Sequence, residues 1–256
     1  MRFSRFNPAS LRVLPAILAV AGAPALVAAE PDARIEDAIR GSYNFTTYLK
    51  EEPIKVQCTD GVVRLSGSVA EEYHRFLAEH TAQGVAGVKR VDNQITVMGR
   101  QPASGSDDWV TMKVKSTLAF HRHVSASGTN VQTSNGVVTL TGTVDSAAEK
   151  ALTAEYAKDV DGVKEVINNL TVGKEASSRE SLGRTIDDTS ITAQIKTSLL
   201  FHKSVRSLAT KIITKAGRVS IHGQAKTEAE KALVGRIAAG IKGVRHVSNH
   251  MTVAKS

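Results

Sequence analysis

The sequence is poor in residues on which many folded proteins rely for cross-links, stacking and catalysis. Cys58 is the only cysteine, so no disulfide can form within the chain. Cys58 alternates onto the same face of a predicted strand as Val56, a pattern that favours a buried thiol over a reactive one. Aromatic residues make up 4% of the chain and Trp109 is the only tryptophan, which leaves little stacking surface for nucleic acid. We therefore expect no nucleic-acid partner.

Motifs of common enzymes and metal sites are also missing from the sequence. It has no GxSxG, no glycine-rich phosphate loop and no HExxH. His246 and His250 lie on a predicted strand, where a spacing of four exceeds the reach of one metal ion. His121 and His123 follow a predicted helix and are interpreted as solvated or helix-capping groups. The sequence thus predicts no catalytic residue, no metal site and no cofactor.

The first 29 residues have the composition of a secretory signal. Three arginines precede an apolar stretch that ends in the small residues Val27, Ala28 and Ala29. Pro15 and Pro24 interrupt the stretch, which is too short to span a bilayer. The pattern predicts cleavage after Ala29, with no cysteine there to carry a lipid anchor. We expect a periplasmic protein that is soluble after cleavage and is not a lipoprotein.

One phrase occurs three times in the chain. GVVRLSGSVA begins at Gly61, GVVTLTGTVD at Gly136 and GRVSIHGQAK at Gly217, at offsets of 75 and 81 residues. The first two copies share 16 identities over the 37 aligned positions from Gly61 and from Gly136, with no insertion. Such a period indicates a triplicated module. The predicted modules are residues 30–99, 108–173 and 187–256, joined by linkers at 100–107 and 174–186.

Each module is predicted to have the order αββαβ. Apolar residues recur every fourth position in both helical segments, and strand segments alternate apolar and polar residues. The dipeptides Asp60-Gly61 and Asn135-Gly136 are typical of a tight hairpin between the first two strands. We expect an α+β fold of three tandem modules, each with a three-stranded mixed sheet packed against two helices.

Three sets of glycines repeat with the modules and are predicted to be structural. The first set forms the hairpin turns, at Gly61, Gly136 and Gly217. The second interrupts the inner face of the second strand, where the missing side chain admits a helix, a bulge or a ligand, at Gly67, Gly142 and Gly223. The third is predicted to close the second helix, at Gly87, Gly162 and Gly243.

The repeated pattern resembles a known family. A DG or NG hairpin, V-x-L-x-G-x-V, a helix and then G-V-K-x-V-x-N-x-(I/L)-x-V is similar to the BON domain. The resemblance covers nearly all of the chain after residue 29. It implies a periplasmic, stress-associated role, with phospholipid binding or chaperone-like action as the activity.

Positive charge is concentrated in the last third of the chain. Residues 30–99 hold 8 basic and 11 acidic residues, residues 100–173 hold 7 and 8, and residues 174–256 hold 15 and 6. The surplus surrounds the first loop and strand of the third module, at Lys203, Arg206, Lys211 and Lys215. Basic groups beside an anionic bilayer contribute about 1 kcal/mol each. The cluster is interpreted as a lipid-binding surface or as an ordinary solvated polar face.

Trp109 is the second candidate for contact with a lipid or a partner. It precedes the apolar helical stripe of its module by one residue, so it is predicted to point away from that stripe, toward the side that carries Met112. A tryptophan in this position can enter a lipid interface or pack against a neighbouring module.

Two functions are compatible with these features. The first is a non-enzymatic periplasmic envelope protein of osmotic stress that associates with anionic phospholipid membranes. The alternative is a periplasmic chaperone-like protein that binds unfolded or outer-membrane protein clients, for example by adding a strand to a sheet edge. The sequence leaves the oligomeric state open.

Overall fold

The computed structural model of the protein describes residues 31–98, 103–173, 185–205 and 210–254, and the predicted signal segment lies outside them. Each module follows the order αββαβ, with one short helix added in the first module and with the second and third strands each divided in two in the third module. The first module comprises α1 (Pro31–Gly41), α2 (Tyr43–Thr47), β1 (Ile54–Thr59), β2 (Val62–Val69), α3 (Glu72–Gly84) and β3 (Arg90–Val97). The second comprises α4 (Asp107–Phe120), β4 (Thr129–Ser134), β5 (Val137–Val144), α5 (Ala147–Lys158) and β6 (Glu165–Val172). The third comprises α6 (Asp188–Phe201), β7 (Lys211–Lys215), β8 (Arg218–His222), β9 (Gln224–Ala225), α7 (Glu228–Gly240), β10 (His246–Asn249) and β11 (Thr252–Val253).

Each sheet places its second strand in the middle. The first two strands of a module pair antiparallel, and the third pairs parallel to the second after the helical crossover. The sheet orders are β1-β2-β3, β4-β5-β6 and β7-β8-β10, and β9 and β11 form a parallel pair of their own. The predicted α+β class, with three-stranded mixed sheets and helices, is confirmed.

The predicted apolar stripes form the cores. Ile39, Val114 and Ile195, which occupy equivalent positions in the three first helices, are completely buried. One core unites the first and third modules and includes Phe120 of the second, and the rest of the second module has its own core. The modules are therefore packed against one another through their helices.

An aspartate in the first turn of each module's first helix holds the hairpin turn. Its carboxylate accepts hydrogen bonds from two successive backbone N–H groups of the turn, at 2.6 to 2.9 Å. The three aspartates are Asp32, Asp107 and Asp188. Each turn needs this support because its first residue has a left-handed backbone, with φ of 53° at Asp60, 52° at Asn135 and 51° at Ala216.

The glycines that were predicted to close the second helices lie elsewhere. The helices end earlier, at Gly84, Lys158 and Gly240, and the C-cap residues Val85 and Ile241 already have extended backbones. The predicted glycines follow in the next turn, where a Cβ would meet the first helix of the same module at about 3 Å; they are Gly87, Gly162 and Gly243. These glycines permit a helix to approach the turn.

The strand glycines also differ from the expectation that a helix fills their place. A Cβ on Gly67 would lie 2.1 Å from the carbonyl oxygen of Pro53, and one on Gly142 would lie 2.1 Å from that of Gly128. The space is therefore taken by the chain that enters the first strand of the same sheet. Gly223 shares the positive φ and separates β8 from β9.

The second and third modules are joined by reciprocal backbone hydrogen bonds. Arg122 N donates to Gly240 O and Lys242 N donates to Phe120 O, which pairs the end of α4 with the end of α7. The mirror contact pairs the end of α5 with the end of α6, through Asp161 N to Phe201 O and Lys203 N to Asp159 O. Because each contact uses equivalent segments of the two modules, the junction has an approximate two-fold symmetry.

The first and third modules share a buried polar network. Asn44 Nδ2 donates to Thr81 Oγ1 and to Ser190 O, and Gln194 Nε2 donates to Asn44 Oδ1. Asn44, Thr81, Ser190 and Gln194 are all completely buried. Gln194 Oε1 is a buried atom of the network that has no partner among the described residues. The hydrogen bonds that are made favour this arrangement of the helices, because other arrangements would leave more of these groups without partners.

We predict that Asp107→Ala destabilises the protein by about 1–3 kcal/mol, because two charge-assisted hydrogen bonds to the hairpin turn are lost. Urea unfolding followed by circular dichroism measures the change. Asp108→Ala removes the neighbouring carboxylate, which is exposed at the same helix end. An equal loss of stability in both variants would show that charge at the helix end, and not support of the turn, is responsible.

Candidate functional site

The outward side of the third sheet carries lysine or arginine on two of its main strands, β7 and β8. On β7, Lys211, Ile213 and Lys215 are exposed while Ile212 between them is buried. These three residues pair with the outward residues His222, Ser220 and Arg218 of β8. On β10, His246 and Ser248 lie beside Arg218 and Ser220, and His250 stacks on His222 with ring centroids 5.0 Å apart. We call this surface the cationic face; its residues are Lys211, Ile213, Lys215, Arg218, Ser220, His222, His246, Ser248 and His250.

Equivalent surfaces of the other two modules have different charge. In the first module, the outward side carries the basic residues Lys55, Arg64 and Arg90, but it also carries Asp92, which forms an ion pair with Arg64 at 3.3 Å from Nε to Oδ2. In the second module, Glu165 is the one charged residue among the outward positions of the described strands, and the others are mainly threonine, serine, asparagine and glutamine. On the cationic face, by contrast, no outward strand position holds an acid.

The four basic residues that the sequence suggested for lipid binding do not lie together on one surface. Lys211 and Lys215 belong to the cationic face. Lys203 instead contacts the second module, where its Nζ donates to Lys158 O at 2.6 Å and lies 3.9 Å from Asp159 Oδ1. Arg206 lies outside the described residues. The structure therefore brings together two of the four, and adds Arg218 from the adjacent strand.

Trp109 and Met112 do not share an exposed surface. Trp109 is partly exposed in the first turn of α4, where its backbone N–H donates to the N-cap Ser106. Met112 is 2% exposed, and α4 packs against α3 and α6 as well as against its own module. The expectation of a common lipid-facing side at Met112 thus differs from the structure, because neighbouring helices cover that side of α4.

Sequence reasoning missed the role of His121 and His202 at the junction of the second and third modules. They occupy equivalent positions at the ends of α4 and α6, and both are largely buried. His121 caps its helix, since Nδ1–H donates to Thr117 O at 2.8 Å, but it is not solvated as one interpretation had it. The signal that could have found the pair is the run LAFH and LLFH, which repeats beyond the core stripe of the helix.

Burial disfavours the charged form of both histidines. It lowers the pKa of His121 to about 4, partly opposed by the hydrogen bond to Thr117. Burial also lowers the pKa of His202, although nearby Asp159 acts in the opposite direction. A third histidine, His80, contacts Thr197 between the first and third modules, and burial lowers its pKa to about 4 as well. Burial at the module junctions therefore favours the neutral form of these three histidines.

Cys58 is a protected thiol. It is partly buried, and its Sγ donates to Asp32 Oδ1 at 3.1 Å. Burial, helped by the hydrogen bond to Asp32, raises the pKa of Cys58 to about 11. A thiol in this state is a poor nucleophile, because the reactive species is the thiolate.

The part of the chain that the structure describes has neither a metal-binding cluster nor a membrane-spanning helix. No group of three or more histidine, cysteine, aspartate or glutamate side chains is placed to hold a metal ion. No helix there has the length and apolar character needed to cross a bilayer.

We predict that acid weakens the protein through these histidines. An unfolded histidine titrates near pH 6.5, whereas folded His121 has a pKa of about 4. Between about pH 6.5 and about pH 4 the unfolded chain therefore binds a proton that folded His121 does not bind, and the free energy of unfolding decreases as the pH is lowered. Between about pH 7 and about pH 5 this group alone removes about 2 kcal/mol from the free energy of unfolding. Urea unfolding of His121→Gln at both pH values should show a smaller loss than the wild type.

The exposed His123 provides the control for this experiment. His123→Gln should retain the full pH dependence, because its imidazole lies at the surface. If His121→Gln and the wild type lose the same stability on acidification, His121 is not the group that resists protonation.

Comparison with known proteins agrees with the repeat structure. The BON domain profile matches residues 31–99, 106–174 and 187–255. The chain is 31% identical to osmotically-inducible protein Y of Escherichia coli over 202 residues, which cover 77% of this chain and 96% of that protein. It is 30% identical to outer membrane lipoprotein DolP of Haemophilus influenzae, over 55% of this chain and 71% of that protein.

A solved structure of the C-terminal domain of CdsD, a structural protein of the type III secretion system of Chlamydia trachomatis, is a weaker match. It has 15% identity and a TM-score of 0.23, and the match covers 86% of this chain and 96% of that one. The three profile matches and the similarity to osmotically-inducible protein Y confirm the resemblance that the hairpin and final-strand motifs indicated. The chain belongs to the BON-domain family, with three BON domains in tandem.

Proposed function

We propose that this protein is a non-enzymatic periplasmic envelope protein of osmotic stress, which associates with anionic phospholipid membranes through the cationic face of its third module. The names of two relatives support the envelope location and the role in osmotic stress: one is an osmotically inducible protein and the other is an outer membrane lipoprotein. The observation that carries the proposal is the surface formed by Lys211, Lys215 and Arg218, where no outward strand position is acidic.

The geometry of the cationic face suits a flat anionic partner. Lys211 and Lys215 extend from the same side of an edge strand, and Ile213 between them is 47% exposed. An apolar side chain flanked by two cations can enter the interfacial region while the ammonium groups remain among phosphates. Three cations at about 1 kcal/mol each give a weak, reversible association that salt would weaken further.

We expect Lys211→Glu/Lys215→Glu to weaken binding to vesicles that contain phosphatidylglycerol by roughly thirtyfold or more, because two favourable contributions of about 1 kcal/mol each are lost and two repulsive charges take their place. Co-sedimentation with such vesicles, and with vesicles of neutral lipid alone, measures the effect at low and physiological salt. The wild type should bind only the anionic vesicles.

The first module supplies a matched control. Lys55 occupies on β1 the position that Lys211 occupies on β7, and it is also exposed. Lys55→Glu changes the net charge in the same direction as Lys211→Glu and should leave vesicle binding nearly unchanged. Equal effects of these two substitutions would assign any binding to net charge, and no binding by the wild type would refute the proposal.

One observation supports the chaperone-like alternative. β4 lies at the edge of its sheet and its sequence, TNVQTS, has no charged residue. The equivalent edge strand β7 has the sequence KIITK, with a lysine at each end. Lysine on an edge strand opposes pairing with another chain. The edge of the second module is therefore the one best suited to accept an extended segment of a client protein.

If the alternative holds, the protein suppresses aggregation of an unfolded outer-membrane protein, and Gln132→Lys on β4 reduces that protection several-fold. Light scattering of the diluted client measures aggregation. Thr139→Lys, on the outward side of the central strand β5, is the control because it adds the same charge away from the edge. Equal protection by wild type, Gln132→Lys and Thr139→Lys would exclude strand addition at β4.

A further inference from the structure

A cavity lies at the junction between the second and third modules, away from the cationic face. Its volume is about 260 Å³, and α4, α5, α6 and α7 with their following turns supply its walls. This volume is slightly below the roughly 300 Å³ at which pockets for drug-sized ligands begin. The cavity is therefore large enough for a small organic molecule.

Two buried polar side chains in the cavity wall have no hydrogen-bond partner within the described residues. They are His202, through Nε2, and Ser198, through Oγ. The side chain of His202 is 10% exposed, and Ser198 is 4% exposed. Buried polar groups in folded proteins are nearly always paired, so two unpaired groups in one cavity wall point to a bound molecule that supplies the partner.

The tautomer of His202 defines what that partner must be. Ser204 N–H donates to His202 Nδ1 at 3.1 Å, so the neutral ring carries its proton on Nε2. Asp159 Oδ2 lies 3.9 Å from Nε2, beyond hydrogen-bond distance. His202 Nε2 thus presents a donor, and the Ser198 hydroxyl can rotate to donate as well, so an acceptor group satisfies both.

The remaining walls define the rest of the ligand. Val160 and Phe201 are 2% exposed and Ile237 is 8% exposed, and together they give the cavity an apolar side. At the surface, Asp159 lies beside Lys203, which compensates its charge, and the exposed Arg236 adds a positive group to the wall. The site therefore combines hydrogen-bond donors, an added cation and an apolar surface.

We propose that this cavity binds a small amphipathic carboxylate, such as a medium-chain fatty acid. Its oxygens accept hydrogen bonds from His202 Nε2 and Ser198 Oγ, and its hydrocarbon chain lies against Val160, Phe201 and Ile237. Because the walls come from two modules, the ligand also stabilises their junction. This site is independent of the cationic face and of the proposed membrane association.

Isothermal titration calorimetry of the full chain after residue 29 with sodium octanoate tests the proposal. We expect saturable binding at one site and a ligand-dependent rise in Tm. Ser198→Ala should weaken binding roughly five- to tenfold, because one donor is lost. Leu233→Trp, which places a larger side chain in the cavity wall, should abolish it.

Three controls make each outcome decisive. Ser116→Ala removes a buried hydroxyl of α4 that donates to Lys113 O, and it should bind octanoate as the wild type does. Lys211→Glu/Lys215→Glu should also bind normally, which separates the cavity from the cationic face. Methyl octanoate should bind more weakly than octanoate.

The contrary results are equally specific. Octanoate binding that survives both Ser198→Ala and Leu233→Trp, in variants that remain folded by circular dichroism, would place the ligand elsewhere. Equal binding of the methyl ester would overturn the assignment of a carboxylate. The absence of saturable binding at millimolar octanoate would overturn the proposal as a whole.

Discussion

The hydrogen bonds between the first-turn aspartate and the hairpin turn support the rest of each module. Asp32, Asp107 and Asp188 each bind two N–H groups of a turn whose backbone is left-handed at its first residue. This contact fixes the first helix against the end of the hairpin and so sets which strand residues meet its apolar stripe. Even Ala216, which lacks the turn preference of Asp60 and Asn135, keeps the same conformation in the third copy.

The modules dock through parts of the repeat that lie away from the contact between the aspartate and the hairpin turn. The turns after the helices pair reciprocally between the second and third modules, and His121 and His202 are buried at that junction. The first module joins the third through Asn44 and Gln194, in a network with no counterpart at the other junction among the described residues. The second module also contacts the first, where Tyr48 Oη donates to Ala119 O and α3 packs against α4. Three similar modules therefore make different interfaces, and the cavity exists only because the second and third modules meet.

The sequence was sufficient to predict the αββαβ order, because the turn dipeptides and the spacing of apolar residues act over a few neighbouring positions. It was insufficient wherever distant segments meet. Met112 looked like a surface residue because the helices that cover it lie in other parts of the chain. Lys203 looked like a free cation because its partners, Lys158 O and Asp159, belong to another module. The helix ends were misplaced because Gly87 and its equivalents serve a contact with the first helix and not the cap.

The outward side of the sheet is the surface that the fold leaves free to vary. Inner positions face the first helix, mostly through apolar residues and, at Thr133 and Thr214, through hydrogen bonds to threonines of that helix. Outward positions of β1, β4 and β7 contribute nothing to the core. Lys55 and Lys211 remain equivalent, and the first module also carries Arg64 and Arg90 on its outward side, where Asp92 pairs with Arg64. The third module differs because Lys211, Lys215 and Arg218 have no acidic residue beside them on the outward side of the sheet. All three modules share the contact between the first-turn aspartate and the hairpin turn, and none of the outward residues takes part in it. The charge of the cationic face can therefore be reversed without altering the fold. Binding that depends on this face is thus separable from stability.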